Sequence, residues 1–353
     1  MRGFLAKGMV AALLSLSLGL FASAAAAPGA QKALQIYFID VEGGQATLFV
    51  TPEGKSLLID TGWPGNNGRD ANRIATAAKD AGVKKIDFVL IAHYHDDHVG
   101  GASQLAAKIP IGTFIDHGEN RETTSEGSKR GFAAYQQLLA TGKYKHITAK
   151  PGEVLPISGM QVRVVTADGE LIERPLPGGG GKENASCANA AKPPVDMTEN
   201  PRSLGTLITF GKLRILDLGD LTSDKEMDLM CPMNKIGAVD IYIVSHHGFL
   251  QSGSAVLVHA ITPRVAIMDN GPKKGGSPAA WDVIEKSPGL EDLWQLHYAE
   301  EGGDAHNVAA PFLANLQGPD TGNYLKVTAA ADGSFAVLNS RTRETKKYEA
   351  KKN

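Results

Sequence analysis

Phe88-Val-Leu-Ile-Ala-His93-Tyr94-His95-Asp96-Asp97-His98-Val-Gly100-Gly101 carries the strongest pattern in the chain. Its apolar half, rich in branched residues, reads as a buried strand. The run stops in three histidines and two aspartates, then turns through paired glycines. His93 and His95 are two apart, so in extended backbone their imidazoles leave one face. Asp97 and His98 follow where the chain bends and approach from another side. Imidazole nitrogen and carboxylate oxygen are good zinc ligands, and here they are densely supplied. A charged loop capping a helix through Asp96 or Asp97 is the plainer alternative. A cap uses one such side chain and leaves three histidines unexplained.

Upstream, Leu34 to Val41 alternates as a strand, and a glycine turn at Gly43-Gly44 leads into a second strand, Thr47 to Val50. A hairpin at Pro52-Glu-Gly54 precedes a third strand ending in Ile-Asp60-Thr-Gly62. Asp70 is placed to cap a helix running Ala71 to Ala81. Downstream, a short helix near Ser103 to Lys108 leads to a strand ending at Asp116-His117, then a helix from Ser128 through Leu139. Strand–helix–strand order puts neighbouring strand ends on one edge, so His117 either faces the histidine cleft or sits on a surface loop.

Residues 168–201 change character, and Pro175-Leu-Pro-Gly178-Gly-Gly-Gly181 and Pro193-Pro194 exclude regular structure there. Such an excursion reads as a lid, a binding loop or disorder. A strand from Asn200 to Phe210 follows, then Leu213 to Asp220, which ends in a carboxylate. Ser223 and Glu226 have the spacing of a capping box for a helix to about Met230. Asp240 to Val244 is a buried strand that delivers His246 and His247. Further elements are a strand from Pro263 to Asn270, a helix from Ser277-Pro278 through Lys286, a strand from Leu290 to Tyr298 and a hairpin from Asn323 to Leu338. The lysine-rich residues 341–353 are expected to fray. With no repeat and no boundary visible, residues 34–340 read as a single domain.

His93-x-His95-x-Asp97-His98 followed by Gly100-Gly101 resembles the signature of the metallo-β-lactamase fold superfamily, and further landmarks recur in order from about residue 34 to 298. The resemblance implies an α+β fold, a four-layer αββα sandwich with a dinuclear metal site at one edge. It implies that Asp220 bridges two metals. One would take His93 and His95; the other would take Asp97, His98 and either His246 or His247. Asp60 matches the carboxylate that orients the histidine loop, a role that fixes a ligand's tautomer. Two cations at such a site activate a water and stabilise a leaving oxygen, with Asp97 available as a proton relay. Whichever of His246 and His247 is not a ligand could donate to substrate oxygen, and His247 is taken with Asp97 as the catalytic pair. Zinc, manganese or a mixed pair all suit the donors.

One departure stands out: the family's usual histidine ahead of the bridging aspartate is missing, and Asn200-Pro-Arg-Ser203 occupies that place. This feature, with His246-His247-Gly248, resembles the branch that includes the extracellular hydrolase domain of ComEC-type DNA-uptake proteins. It leaves the first metal position under-ligated, or completed by Asn200 or water.

The first segment carries Arg2 and Lys7, an apolar run from Met9 to Phe21 and small residues at Ala22 to Ala27, the pattern of a secretory signal peptide over residues 1–26. The run is short for a membrane anchor, and no other stretch is long and apolar enough to span a bilayer. Periplasmic and secreted destinations both fit. The two cysteines, Cys187 and Cys231, either pair as one disulfide or stay as thiols, and an oxidising compartment favours the pair. A net charge of −2 argues against a strong nonspecific grip on nucleic acid. The expected activity is therefore cleavage of a phosphodiester or related ester in a small-molecule or oligomeric substrate, with nucleic acid as substrate only. A β-lactam or lactone hydrolase is the alternative, and a non-catalytic exported binder the third reading.

Overall fold

The computed structural model describes residues 33–351. The expected signal peptide lies outside them. Two mixed sheets face each other. The first runs, in spatial order, through Thr345–Tyr348, Phe335–Asn339, Leu325–Ala329, Leu34–Phe38, Thr47–Val50, Ser56–Ile59, Ile86–Leu90, Ile111–Asp116 and Lys145–Thr148. The second runs through Leu313–Asn315, Asp292–His297, Val265–Met268, Ile241–Ile243, Leu213–Asp217, Gly205–Phe210, Gln161–Ala167 and Glu170–Leu171.

Strand alternation sorts side chains into layers. Leu34, Ile36 and Phe38 point into a core shared with Ile208, Ile215, Ile241 and Val265 of the facing sheet. Their neighbours Tyr37 and Ile39 turn outward onto Ile74 and Ala78 of helix Arg69–Asp80 and Tyr135 of helix Glu126–Ala140. Leu207, Leu216 and Tyr242 likewise meet Leu229, Leu257 and Ile284 of helices Ser223–Met230, Ala255–Ile261 and Pro278–Glu285. The layers are helix, sheet, sheet, helix, as expected. Because the central strands are covered on both faces, they read as unbroken apolar runs.

Topology positions the site. Ser56–Ile59, Ile86–Leu90 and Ile111–Asp116 are parallel neighbours, and so are Leu213–Asp217, Ile241–Ile243 and Val265–Met268. The carboxyl ends of such strands are where open α/β sheets place ligands.

Several local expectations are corrected. Asp70 does not cap its helix: Gly68 precedes the first turn, and the Asp70 carboxylate accepts the Trp63 N–H at 2.8 Å. Ser125, not Ser128, opens the following long helix, accepting the Ser128 N–H. The Ser223–Glu226 box is not made either, because Glu226 accepts the N–H groups of Gly253 and Ser254 at 2.7 and 2.8 Å. The 168–201 excursion is not free of regular structure. Glu170–Leu171 hairpins onto Gln161–Ala167, and Lys182–Glu183 pairs with Met233–Asn234. A disulfide joins Cys187 to Cys231. The fraying expected over residues 341–353 does not hold for Thr345–Tyr348, which forms the edge strand. Tyr348 anchors it, with its ring stacked on Phe335 at 4.7 Å and its hydroxyl taking the Trp294 indole N–H at 2.9 Å. Among the described residues no helix is long and apolar enough to cross a membrane.

Candidate metal centre

The histidine loop leaves strand Ile86–Leu90 extended and turns at helix Asp96–Val99, which swings Asp97 and His98 inward. Gly101 is required at the turn, since a Cβ there would stand 2.1 Å from the Thr61 carbonyl oxygen. Asp60, at the end of the adjacent strand, holds a left-handed φ of 61°. Its Oδ1 accepts the Ala92 N–H at 2.7 Å and its Oδ2 lies 2.6 Å from His98 Nδ1. Asp60 thus meets the His98 ring on the side away from the other donors.

The facing sheet supplies the rest. Asp220 follows strand Leu213–Asp217, and the His246-His247 turn follows Ile241–Ile243. Asp97, His98, Asp220 and His247 form one group of donors; His93, His95 and Asp220 form a second. In the first group His98 Nε2 stands 3.2 Å from His247 Nε2, from Asp97 Oδ2 and from Asp220 Oδ1. His247 Nε2 stands 3.2 Å from Asp97 Oδ2 and 3.5 Å from Asp220 Oδ1. A zinc–donor bond of about 2.0–2.1 Å gives a tetrahedron with edges of roughly 3.3–3.4 Å. The donor spacing thus matches the edges of a zinc tetrahedron.

The electrostatics agree. Asp60, Asp97, Asp220 and Asp269 are all buried, and one ammonium, Lys274, touches the Asp97 carboxylate. His93 Nε2 and Asp220 Oδ1 are buried without a hydrogen-bond partner. Each such orphan costs about 1–3 kcal/mol. Since His93 faces Asp220 Oδ2 while Oδ1 faces His98 and His247, a cation on each side of Asp220 would remove one penalty apiece. Burial would raise Asp220, but His98, His246, His247 and His93 around it hold its carboxyl well below the usual range. Burial would also raise Asp97, and Lys274 and His98 hold it well down. Burial alone would lower His98, but Asp220, Asp97 and Asp60 outweigh it and hold the imidazole well above its ordinary value. His93 is pushed well down by burial and by His98 beside it, which leaves a neutral nitrogen.

Of the other expected residues, Ser203 Oγ accepts the Asp220 N–H at 3.2 Å and lies 3.5 Å from His93 Nδ1, so it props both. Asn200 is not in a strand but in a 3-10 turn with Pro201 and Arg202, and its buried Oδ1 has no partner. His117 is no surface residue. It is buried, with Nε2 3.0 Å from Glu199 Oε2, and it stands outside both donor groups.

Sequence reasoning missed four residues. Glu122 Oε2 lies 2.9 Å from His95 Nε2 and accepts the Glu199 N–H at 3.1 Å, tying the excursion to the centre. Glu199 accepts the Arg121 N–H at 2.8 Å. Neither glutamate has a periodic signal, since both sit in loops. Asp269 Oδ1 lies 3.3 Å from His247 Nδ1, and its place at the end of a parallel strand was a usable signal. Lys274 comes from a glycine-rich turn, donates to the Gly43 carbonyl at 2.8 Å and lies near the rings of Trp63 and Phe249. A further group, Asp40, Glu42 and His297, closes on itself: His297 Nε2 and Arg73 lie 2.6 and 2.9 Å from the two Asp40 oxygens.

Against known proteins, the model of the metallo-beta-lactamase superfamily matches residues 40–182. That stretch is the part of the chain that resembles the superfamily. Asp220, His246 and His247 lie beyond the matched stretch, yet the fold brings them to the histidine loop. Recombination protein 2 of Haemophilus influenzae is 23% identical over 67% of this chain and 24% of its own length. Hydroxyacylglutathione hydrolase of Stenotrophomonas maltophilia is 29% identical over 30% of this chain and 37% of its own. The chain thus spans well under half the length of either relative. Among solved structures, the metallo-beta-lactamase fold protein YhfI of Bacillus subtilis is 13% identical, covers 74% of this chain and 95% of its own, and superposes with a TM-score of 0.45.

Proposed function

We propose that this protein is an exported, metal-dependent hydrolase that cleaves phosphodiester or related ester bonds with a metal-activated water. The observation that carries the reading is the Asp220 carboxylate set between two groups of donors. His93 and His95 would hold one divalent ion with Asp220, and Asp97, His98 and His247 the other. Zinc suits the donor spacing, and manganese suits the carboxylates. When bound, such a pair lowers the pKa of a water and neutralises charge developing on the substrate.

The chain's own groups set the rest. Asp60 and Ser203 fix the imidazoles of His98 and His93, so no reorganisation is needed as the reaction proceeds. Asp97 is ionised and is the carboxylate placed to take up a proton. The ammonium of Lys274, whose side chain is 26% exposed, gives an anionic ester a fixed positive charge beside it. A groove of about 560 Å³ is lined by Val195 and Met197 of the excursion and by Thr222 and Leu250, which follow Asp220 and His247 closely in the chain. Two to three residues reach at most about 7–11 Å, so an apolar arm of the substrate would lie there with its scissile bond near the cluster. Export is supported by the disulfide, which belongs to oxidising compartments, and by the signal-like first segment.

The test is a panel of bis-nitrophenyl phosphate, nitrocefin and acyl lactones, with and without added metal. The reading expects metal-dependent turnover of the phosphodiester, abolished in Asp97→Ala and Asp220→Ala. Turnover of nitrocefin alone would overturn it, and full activity in both variants would place the site elsewhere.

A further inference from the structure

The missing histidine ahead of Asp220 leaves one side of the centre with two imidazoles. We infer that His246 takes its place, so that the adjacent pair His246-His247 serves both metal positions, one imidazole each. The inference rests on the dinuclear reading above.

The Asp220 carboxylate divides the cluster. Its Oδ1 lies 3.2 and 3.5 Å from the Nε2 atoms of His98 and His247. Its Oδ2 lies 3.7 and 3.5 Å from those of His93 and His246. His246 stands outside both tight donor groups, yet it addresses the same Asp220 oxygen as His93, not the one His247 addresses.

Ring orientation is shared by three of the imidazoles, His95 being the exception with its Nε2 on Glu122. His93 keeps Nδ1 on Ser203, His98 on Asp60 and His247 on Asp269, each with Nε2 turned inward. His246 repeats it, with Nδ1 3.3 Å from Ser252 Oγ and Nε2 toward Asp220. An outer partner that fixes the tautomer is the usual support of a metal-binding imidazole.

The backbone explains how neighbours in sequence reach opposite sides. His246 and His247 both adopt left-handed conformations, with φ of 53° and 54°. Each costs a non-glycine residue about 1–3 kcal/mol and persists only where the surroundings impose it. Here the His246 N–H donates to the Gly219 carbonyl at 3.0 Å and the His247 carbonyl accepts the Gly276 N–H at 2.9 Å. The turn is thus pinned to the residue before Asp220. The competing ligand is Asn200, whose Oδ1 is buried and unpartnered but offers only a neutral amide oxygen.

His246→Gly tests this cleanly, because glycine accepts the left-handed backbone and relieves strain. Full-length wild type, His246→Gly and Asn200→Ala are loaded with Zn²⁺, dialysed and counted by elemental emission. The Co²⁺-loaded forms are compared by visible absorption, which reports ligand number. The expected result is two ions in wild type and in Asn200→Ala. His246→Gly should keep one tight ion, lose more than 100-fold in affinity for the other, and melt no lower when metal-free. Two tight ions in His246→Gly would overturn the inference while leaving the dinuclear reading intact, as would loss of one ion in Asn200→Ala. A single ion in wild type would refute both.

Discussion

Asp60 shows how much one side chain can settle. It is fully buried, ties the Ala92 N–H and orients His98, and it does both from a left-handed backbone. Asp60→Ala should weaken metal binding about 10–100-fold and leave a buried N–H unpaired, at a cost of about 1–3 kcal/mol. Equilibrium dialysis and thermal melts would measure the two effects, and unchanged metal affinity would contradict the role. His98 governs the pH response. Its folded pKa stands above the ordinary 6.5, so in the metal-free protein its pairing stabilises fully below that value. That stabilisation is lost as pH rises through the elevated pKa. Asp97 and Asp220 are held low and release no proton in that window. Metal uptake must displace the His98 proton and also that of His247, which burial and Lys274 would lower but Asp220 and Asp269 hold above its ordinary value. Affinity should therefore climb with pH by more than about tenfold per unit, with up to about two protons released. Calorimetry in buffers of different ionisation enthalpy would detect it; pH-independent affinity would rule it out. Most of these residues were legible, because ligand chemistry concentrates at strand ends. Lys274, Glu122 and Glu199 were not, since loop residues reach the centre through tertiary folding that no spacing encodes.

At the level of elements, the apolar runs and their glycine punctuation gave the strands reliably, whereas helix starts slipped. Gly68 and Ser125 open helices that Asp70 and Ser128 had been expected to open, because the local hydrogen bonds of Asp70 go to Trp63. The excursion at 168–201 was recognisable by composition, but its small ladder with Met233–Asn234 rests on pairing across distant sequence. The Cys187–Cys231 bond closes a loop with a sequence separation of 44. On the chain-entropy model, replacing both cysteines by serine should cost about 4 kcal/mol. Chemical denaturation should show that loss. The donor cluster lies in other elements, so the variant should keep its metal at low temperature. Loss of metal together with the disulfide would mean that the excursion holds the centre together.

For the molecule as a whole, the sandwich packs two sheets face to face so that donors far apart in sequence meet where their strands end: the 93–98 loop from one sheet, Asp220 and the 246–247 turn from the other. The layers followed from the sequence because alternation and double-sided burial leave clear patterns. The closing edge strand did not, because Thr345–Tyr348 is mostly exposed and is held by a single aromatic anchor, Tyr348. The proposed function depends on the two donor groups sharing Asp220. Elemental emission on the dialysed wild type and on Asp220→Asn measures that most directly. Two divalent ions per chain in the wild type, and loss of tight binding at both positions in the variant, are the predicted result. A wild type without bound divalent metal, or a variant that keeps both ions, would contradict it.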